Sequence, residues 1–179
     1  MTFKSYMPDP EGEFPAAAPE YLFYLLFQTA RRREAQVDAV LEPLGLSANR
    51  ARTLTIIRRL EGCSMNTLAR FTAIERTTLT REVDQLVARG LIERTTPAND
   101  RRRVSLSLTE EGEKVFAQGI PIVAEATQQA MKGVDPERLR EFARTLQVIM
   151  LNLVDDPDWA HDLISYARPE RPRLAPPKG

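Results

Sequence analysis

Residues 64–109 read SMNTLARFTAIERTTLTREVDQLVARGLIERTTPANDRRRVSLSLT. Ser64 is a good N-cap and opens a short helix predicted over Met65–Phe71. Thr72, Ala73 and Ile74 make a turn. A second helix then runs from about Glu75 to Arg89, with apolar Leu79, Val83, Leu86 and Val87 spaced by three and four. Gly90 ends it. Leu91–Thr95 and Val104–Leu108 each suit a strand. In the latter, Val104, Leu106 and Leu108 alternate with Ser105 and Ser107, which puts one face on a core and the other in water. The residues between the strands, 96–103, form a polar hairpin loop with an arginine-rich tip.

The chemistry of these elements is directional. The first turns of the second helix carry Arg76, Thr77, Thr78, Thr80 and Arg81, while Leu79 and Val83 point the other way. Arginine bonds guanine bidentately, and threonine meets a thymine methyl or a phosphate. The loop tip holds Asp100, Arg101, Arg102 and Arg103. An aspartate two residues before Arg102 can fix that guanidinium and leave Arg101 or Arg103 free for phosphates or a minor groove. Taken singly, each element also reads as a solvated charged surface. Two short helices, a turn and a basic hairpin in this order point to a winged helix-turn-helix that binds double-stranded DNA.

Outward from this segment the chain is helical. Pro19 to Leu41 forms a first helix whose opening turns crowd Tyr21, Leu22, Leu25, Leu26 and Phe27, so it expects burial against more than one partner. Pro43 and Gly45 end it, and Ser47 caps a helix over about Ala48–Leu60 with Leu54, Ile57 and Leu60 inward. Thr109 caps a long helix to about Lys132, with a kink predicted at Gly119-Ile120-Pro121. Asp135-Pro136 starts another, to about Val154, with Leu139, Phe142, Ala143, Leu146, Ile149, Met150 and Leu153 in one stripe. Asp158 to Ala167 has room for a last short helix. The expected fold is therefore mainly α with a small β-hairpin wing. Residues 1–18 form a flexible N-terminal arm, 47–108 the winged helix-turn-helix, 19–46 and 109–155 a helical dimerisation region from both chain ends, and 156–179 a C-terminal extension.

Composition narrows the function. The 179 residues carry 25 basic and 25 acidic side chains, so the chain is no bulk polycation. From Arg70 to Arg103, however, eight arginines face five acids, leaving the segment at +3 and the remainder at −3. No run of about 18 apolar residues exists, so no membrane span is expected. The N-terminus lacks a signal-peptide pattern, and one cysteine, Cys63, fits a reducing cytoplasm.

Residues 47–112 resemble the multiple-antibiotic-resistance-regulator (MarR) family of winged-helix transcription factors. The residues that carry the resemblance are Thr67-Leu68-Ala69, then Arg76 through Leu86, Arg89-Gly90-Leu91-Ile92-Glu93-Arg94, Asp100-Arg101-Arg102-Arg103, and Leu108-Thr109-Glu110-Glu111-Gly112. With the flanking helices the likeness extends over about 19–155. It implies an obligate homodimer built by the first, fifth and sixth helices. It implies a near-palindromic operator, usually repressed, and release of DNA by a small, often aromatic ligand in a cleft between the dimer helices and the DNA lobe. It places Arg76, Thr77, Thr78, Thr80 and Arg81 at recognition positions, and Asp100 and Arg102 on the wing's paired motif. Glu75 departs from the family, which often has a small polar cap there; a carboxylate still caps a helix but repels phosphate.

Other candidates are weaker. Cys63 is readable as an inert thiol or as an oxidant sensor. His161, the one histidine, lies beside Asp155, Asp156 and Asp158, where a solvated surface is the simpler reading than a metal site. Tyr21, Phe23, Tyr24 and Phe27 suit a dimer core or an effector cleft, and Tyr24 and Gln28 are the positions assigned to a ligand. Arg31, Arg32 and Arg33 suit solvent or an anionic effector. No catalytic residue, metal ligand or cofactor is expected, and the alternative function is a winged-helix protein-interaction scaffold.

Overall fold

A computed structural model describes residues 19–60, 62–96 and 104–166. The expected arm over 1–18, the wing tip with Asp100, Arg101, Arg102 and Arg103, and the end of the C-terminal extension lie outside the described residues. Along the chain run α1 (Pro19–Leu41), a 3-10 turn (Glu42–Leu44), α2 (Ala48–Arg59), α3 (Met65–Thr72) and α4 (Arg76–Ala88). They are followed by β1 (Ile92–Thr95), β2 (Ser105–Leu108), α5 (Glu110–Ala130), α6 (Pro136–Leu153) and α7 (Pro157–Tyr166). This is a mainly α fold with one antiparallel hairpin.

Side-chain caps set the helix starts. Ser47 accepts from the Arg50 N–H, Ser64 from Thr67, Thr109 from Gly112, and Asp135 from both Glu137 and Arg138. Each bond satisfies an amide that the first helical turn leaves without a partner. The apolar spacing then decides which faces meet. Leu54, Ile56 and Ile57 of α2, Leu68 of α3, Leu79, Val83 and Leu86 of α4, and Ile92 and Leu106 of the hairpin close into one buried core. In the hairpin Ile92 pairs with Leu108 and Thr95 with Ser105. Cys63 adds a third rung, giving its N–H to Leu106 O (3.1 Å) and accepting from Leu106 N–H (2.9 Å), so the loop before α3 anchors the wing.

The outer helices behave differently. No residue of α6 is buried; Leu139, Phe142, Met150 and Leu153 of its stripe are exposed, as are Val148 and Leu151 beside it. Tyr21, Phe23, Tyr24, Leu25 and Phe27 at the start of α1 are exposed as well. α5 runs as one helix across Gly119-Ile120-Pro121, and Gly119 lies against the Leu41 and Leu44 side chains. α7 returns to the winged-helix segment. Trp159 meets Phe71 of α3 edge-on at 4.7 Å, Tyr166 meets the same ring at 5.1 Å, and the Arg70 guanidinium lies 4.0 Å over Trp159.

Candidate nucleic-acid interface

The turn between α3 and α4 places the candidate helix. Ala73 caps α3 in the left-handed region at φ 52°, and the Thr72 hydroxyl accepts from the Ile74 N–H at 3.3 Å. α4 then starts on Glu75, whose carboxylate accepts from the Thr78 N–H at 3.0 Å. The amides of Thr77 and Thr78 hold this carboxyl below its usual pKa. The residue that departs from the family pattern thus works as the cap, its charge directed at the helix's own amides.

Leu79, Val83 and Leu86 are wholly buried, whereas Arg76, Thr77, Thr78, Thr80 and Arg81 are all exposed. The structure therefore brings the five α4 candidates onto one open end of the helix. Among the described residues, neither Arg76 nor Arg81 forms an ion pair. Thr80 is partly committed, because its hydroxyl donates to Arg76 O at 2.8 Å.

Three of the eight arginines behind the local positive surplus serve the fold instead. Arg94 pairs with Asp84 at 2.5 Å and ties β1 to α4. Arg89 donates to Leu44 O and Gly45 O at 3.0 and 2.5 Å and pins the end of α4 to the turn after α1. Arg70 pairs with Asp156 at 3.6 Å under α7. Sequence spacing did not reveal these uses, since every partner but Asp84 lies far along the chain. It also missed Arg50, in the first turn of α2, whose Nε donates to Glu82 Oε2 at 2.7 Å and whose Nη2 donates to Gln85 Oε1.

A cavity of about 650 Å³ lies between α1, α2 and α5. Val37, Leu41, Leu54, Phe116 and Val123 give it apolar walls, and Arg33, Glu34 and Arg52 supply charge. Arg33 donates to Thr127 Oγ1 at 2.6 Å, and Arg52 lies 3.9 Å from Glu34. Tyr24 and Gln28 do not line it; Tyr24 is exposed and Gln28 half-buried, nearer the start of α1.

Cys63 is buried, and burial pushes its thiol up to about 12. A thiol held protonated is a poor nucleophile toward oxidants, which argues against a sensing role. His161 is exposed on α7, and Asp156 is used to cap that helix at the Trp159 N–H, 3.1 Å. Among the described residues no group of histidine, cysteine and carboxylate side chains could hold a metal ion, and no helix is long and apolar enough to cross a membrane.

Comparison with known proteins agrees with this geometry. A model of the MarR family matches residues 44–103, which takes in α2, α3, α4 and β1. A MarR family transcriptional regulator from Silicibacter pomeroyi DSS superposes with a TM-score of 0.70 at 26% identity, covering 83% of this chain and 100% of its own. A mutant MarR from E. coli complexed with operator DNA gives 0.67 at 24%, covering 78% and 99%. BpsR of Bordetella bronchiseptica, whose DNA binding is regulated by 6-hydroxynicotinic acid, gives 0.66 at 24%, covering 72% and 98%. Over residues 44–103 the chain matches the MarR family, and with α4, the hairpin and long helices from both chain ends it shares the winged-helix fold of these MarR family transcriptional regulators.

Proposed function

We propose that this chain is a cytoplasmic, homodimeric repressor. It reads a near-palindromic operator through α4 and the wing over 96–103, and a small aromatic ligand releases it. The observation that carries the reading is the two-sidedness of α4: a fully buried apolar edge fixes the helix, and Arg76, Thr77, Thr78, Thr80 and Arg81 are exposed at its leading end. The relative solved on operator DNA supports the same use of the fold. Residues 47–108 act as the DNA lobe, and 19–46 with 109–155 as the dimerising part. Asp100, Arg101, Arg102 and Arg103 extend the contact into the neighbouring groove or backbone.

Dimerisation is supported by the apolar faces of α1 and α6. Their exposed aromatic and aliphatic side chains are costly in water, and a second copy would bury them. Two-fold symmetry then sets the reading helices about one turn of DNA, roughly 34 Å, apart. The cavity is a second candidate site for the effector, beside the one assigned to Tyr24 and Gln28. Its volume suits a small organic ligand, and its apolar walls with Arg33 and Arg52 suit an aromatic acid. Its α2 wall also packs on α4, so a ligand preferring a different α2 position lowers DNA affinity by its preference between the two forms.

The test is binding to the DNA upstream of the chain's own gene, at moderate salt with competitor. Arg76→Ala or Arg81→Ala should lose about 1–3 kcal/mol of specific binding while the dimer persists. Unchanged affinity in both variants would refute the assignment of α4. Titrating aromatic acids into the complex tests the effector, and no release by any of them would remove that part of the proposal.

A further inference from the structure

We propose that Arg50 is a positioning residue for DNA reading, which silences an acid beside the reading face and fixes the rotation of α4. The inference rests on α4 being the recognition helix. Thr78, Arg81 and Gln85 share one face of α4 by their spacing of three and four, and Glu82 lies four residues after Thr78. Arg50 reaches this edge from α2 with two prongs, one to Glu82 Oε2 at 2.7 Å and one to Gln85 Oε1. The Arg50 and Glu82 side chains are 26% and 18% exposed, so water screens the pair only in part.

The acids of α4 and its cap follow one pattern. Glu75 is turned onto the amides of Thr77 and Thr78, Asp84 is held by Arg94 at 2.5 Å, and Glu82 is held by Arg50. Arg76 and Arg81 are left as the charges facing outward. Without Arg50, the Glu82 carboxylate would stand unpaired beside Thr78 and repel phosphate, and Gln85 would lose its tether. Arg50 itself is fixed from below. Its amide donates to the Ser47 hydroxyl at 3.2 Å, and the Ala48 amide donates to Asp38 of α1 at 2.6 Å. Ala48, Ala51 and Arg52 of the same turn line the cavity, so Arg50 joins the cavity wall to the reading helix.

The experiment uses the full chain and a duplex from upstream of its gene, with fluorescence anisotropy across a salt series and a thermal melt of every variant. Arg50→Gln should bind about tenfold more weakly, the scale of a coupled contact, with an unchanged dependence on salt. Adding Glu82→Gln to it should restore affinity to within about threefold of wild type. Two results would overturn the proposal. One is wild-type affinity in Arg50→Gln. The other is a double variant as weak as the single with a salt slope lower by about one, which marks Arg50 as a direct phosphate contact. If Arg50→Gln melts too low to assay, the swapped pair Arg50→Glu with Glu82→Arg decides: affinity within about threefold of wild type supports the proposal, and a loss of about tenfold refutes it. Wild type that fails to bind would instead remove the recognition-helix reading on which this one stands.

Discussion

Two glycines of α5 should respond to alanine in opposite directions. Gly112 lies in the first turn, where a Cβ would fall 2.0 Å from Leu91 O and 3.0 Å from the Leu91 carbonyl carbon. A carbon and a carbonyl oxygen rest at about 3.3 Å or more, so the chains must part by over 1 Å at this point. Leu91 O accepts from the Thr109 N–H at 3.1 Å, and Gly90 O from the Thr109 hydroxyl at 2.5 Å. Separation strains both bonds, each worth about 1 kcal/mol, and the overpacking adds about 1–3 kcal/mol. Alanine's better helix propensity returns about 1 kcal/mol. Gly112→Ala should therefore lose about 2–4 kcal/mol, or about 5–15 °C in Tm for a chain of this size. At Gly119 the nearest atoms to a Cβ are Leu41 Cδ2 at 3.6 Å and Leu44 Cδ1 at 3.9 Å, ordinary contacts beside the cavity. Gly119→Ala should gain up to about 1 kcal/mol from propensity. Differential scanning calorimetry reads both. A Gly112→Ala melt within about 2 °C of wild type, or a Gly119→Ala variant that falls as far as Gly112→Ala, would refute the packing argument at the wing–α5 junction.

Other outcomes follow from single features. Ala73→Gly removes the Cβ from a left-handed turn at φ 52° and should raise stability by up to about 1 kcal/mol, measured by urea denaturation; a lower midpoint would count against strain there. Cys63, with its folded pKa raised from 9.0 to about 12, favours the folded state fully below pH 9 and loses that contribution as pH rises toward 12. Cys63→Ala should therefore flatten the alkaline fall in stability, and a thiol reagent at neutral pH should label native wild type only at the rate of unfolding; prompt labelling would contradict the burial. Phe142→Glu on the exposed stripe of α6 should dissociate the proposed dimer in sedimentation velocity without lowering helix content. An unchanged sedimentation coefficient would place the interface elsewhere.

Local signals were legible in the sequence wherever neighbours in the chain decide structure. Ser47, Ser64 and Thr109 mark helix starts because capping is a contact three residues long. Leu79, Val83 and Leu86 mark the inner edge of α4 because 3.6-residue periodicity is geometric, and that alone turns Arg76, Thr78 and Arg81 outward. Glu75 was readable as a cap because a carboxylate accepts from first-turn amides, and the fold turns it onto the Thr78 N–H.

The chain's order of residues therefore determined its helices, its hairpin and the side of α4 that faces out. Tertiary structure alone decided which arginines remain for a partner. Arg50, Arg70 and Arg89 meet Glu82, Asp156 and the carbonyls of Leu44 and Gly45 only because distant segments are packed together. The docking of Trp159 on Phe71 and the cavity between α1, α2 and α5 arise in the same way. The physical reason is range: caps and periodicity act over a turn of helix, whereas ion pairs, ring contacts and voids form between surfaces that exist only after the core has closed.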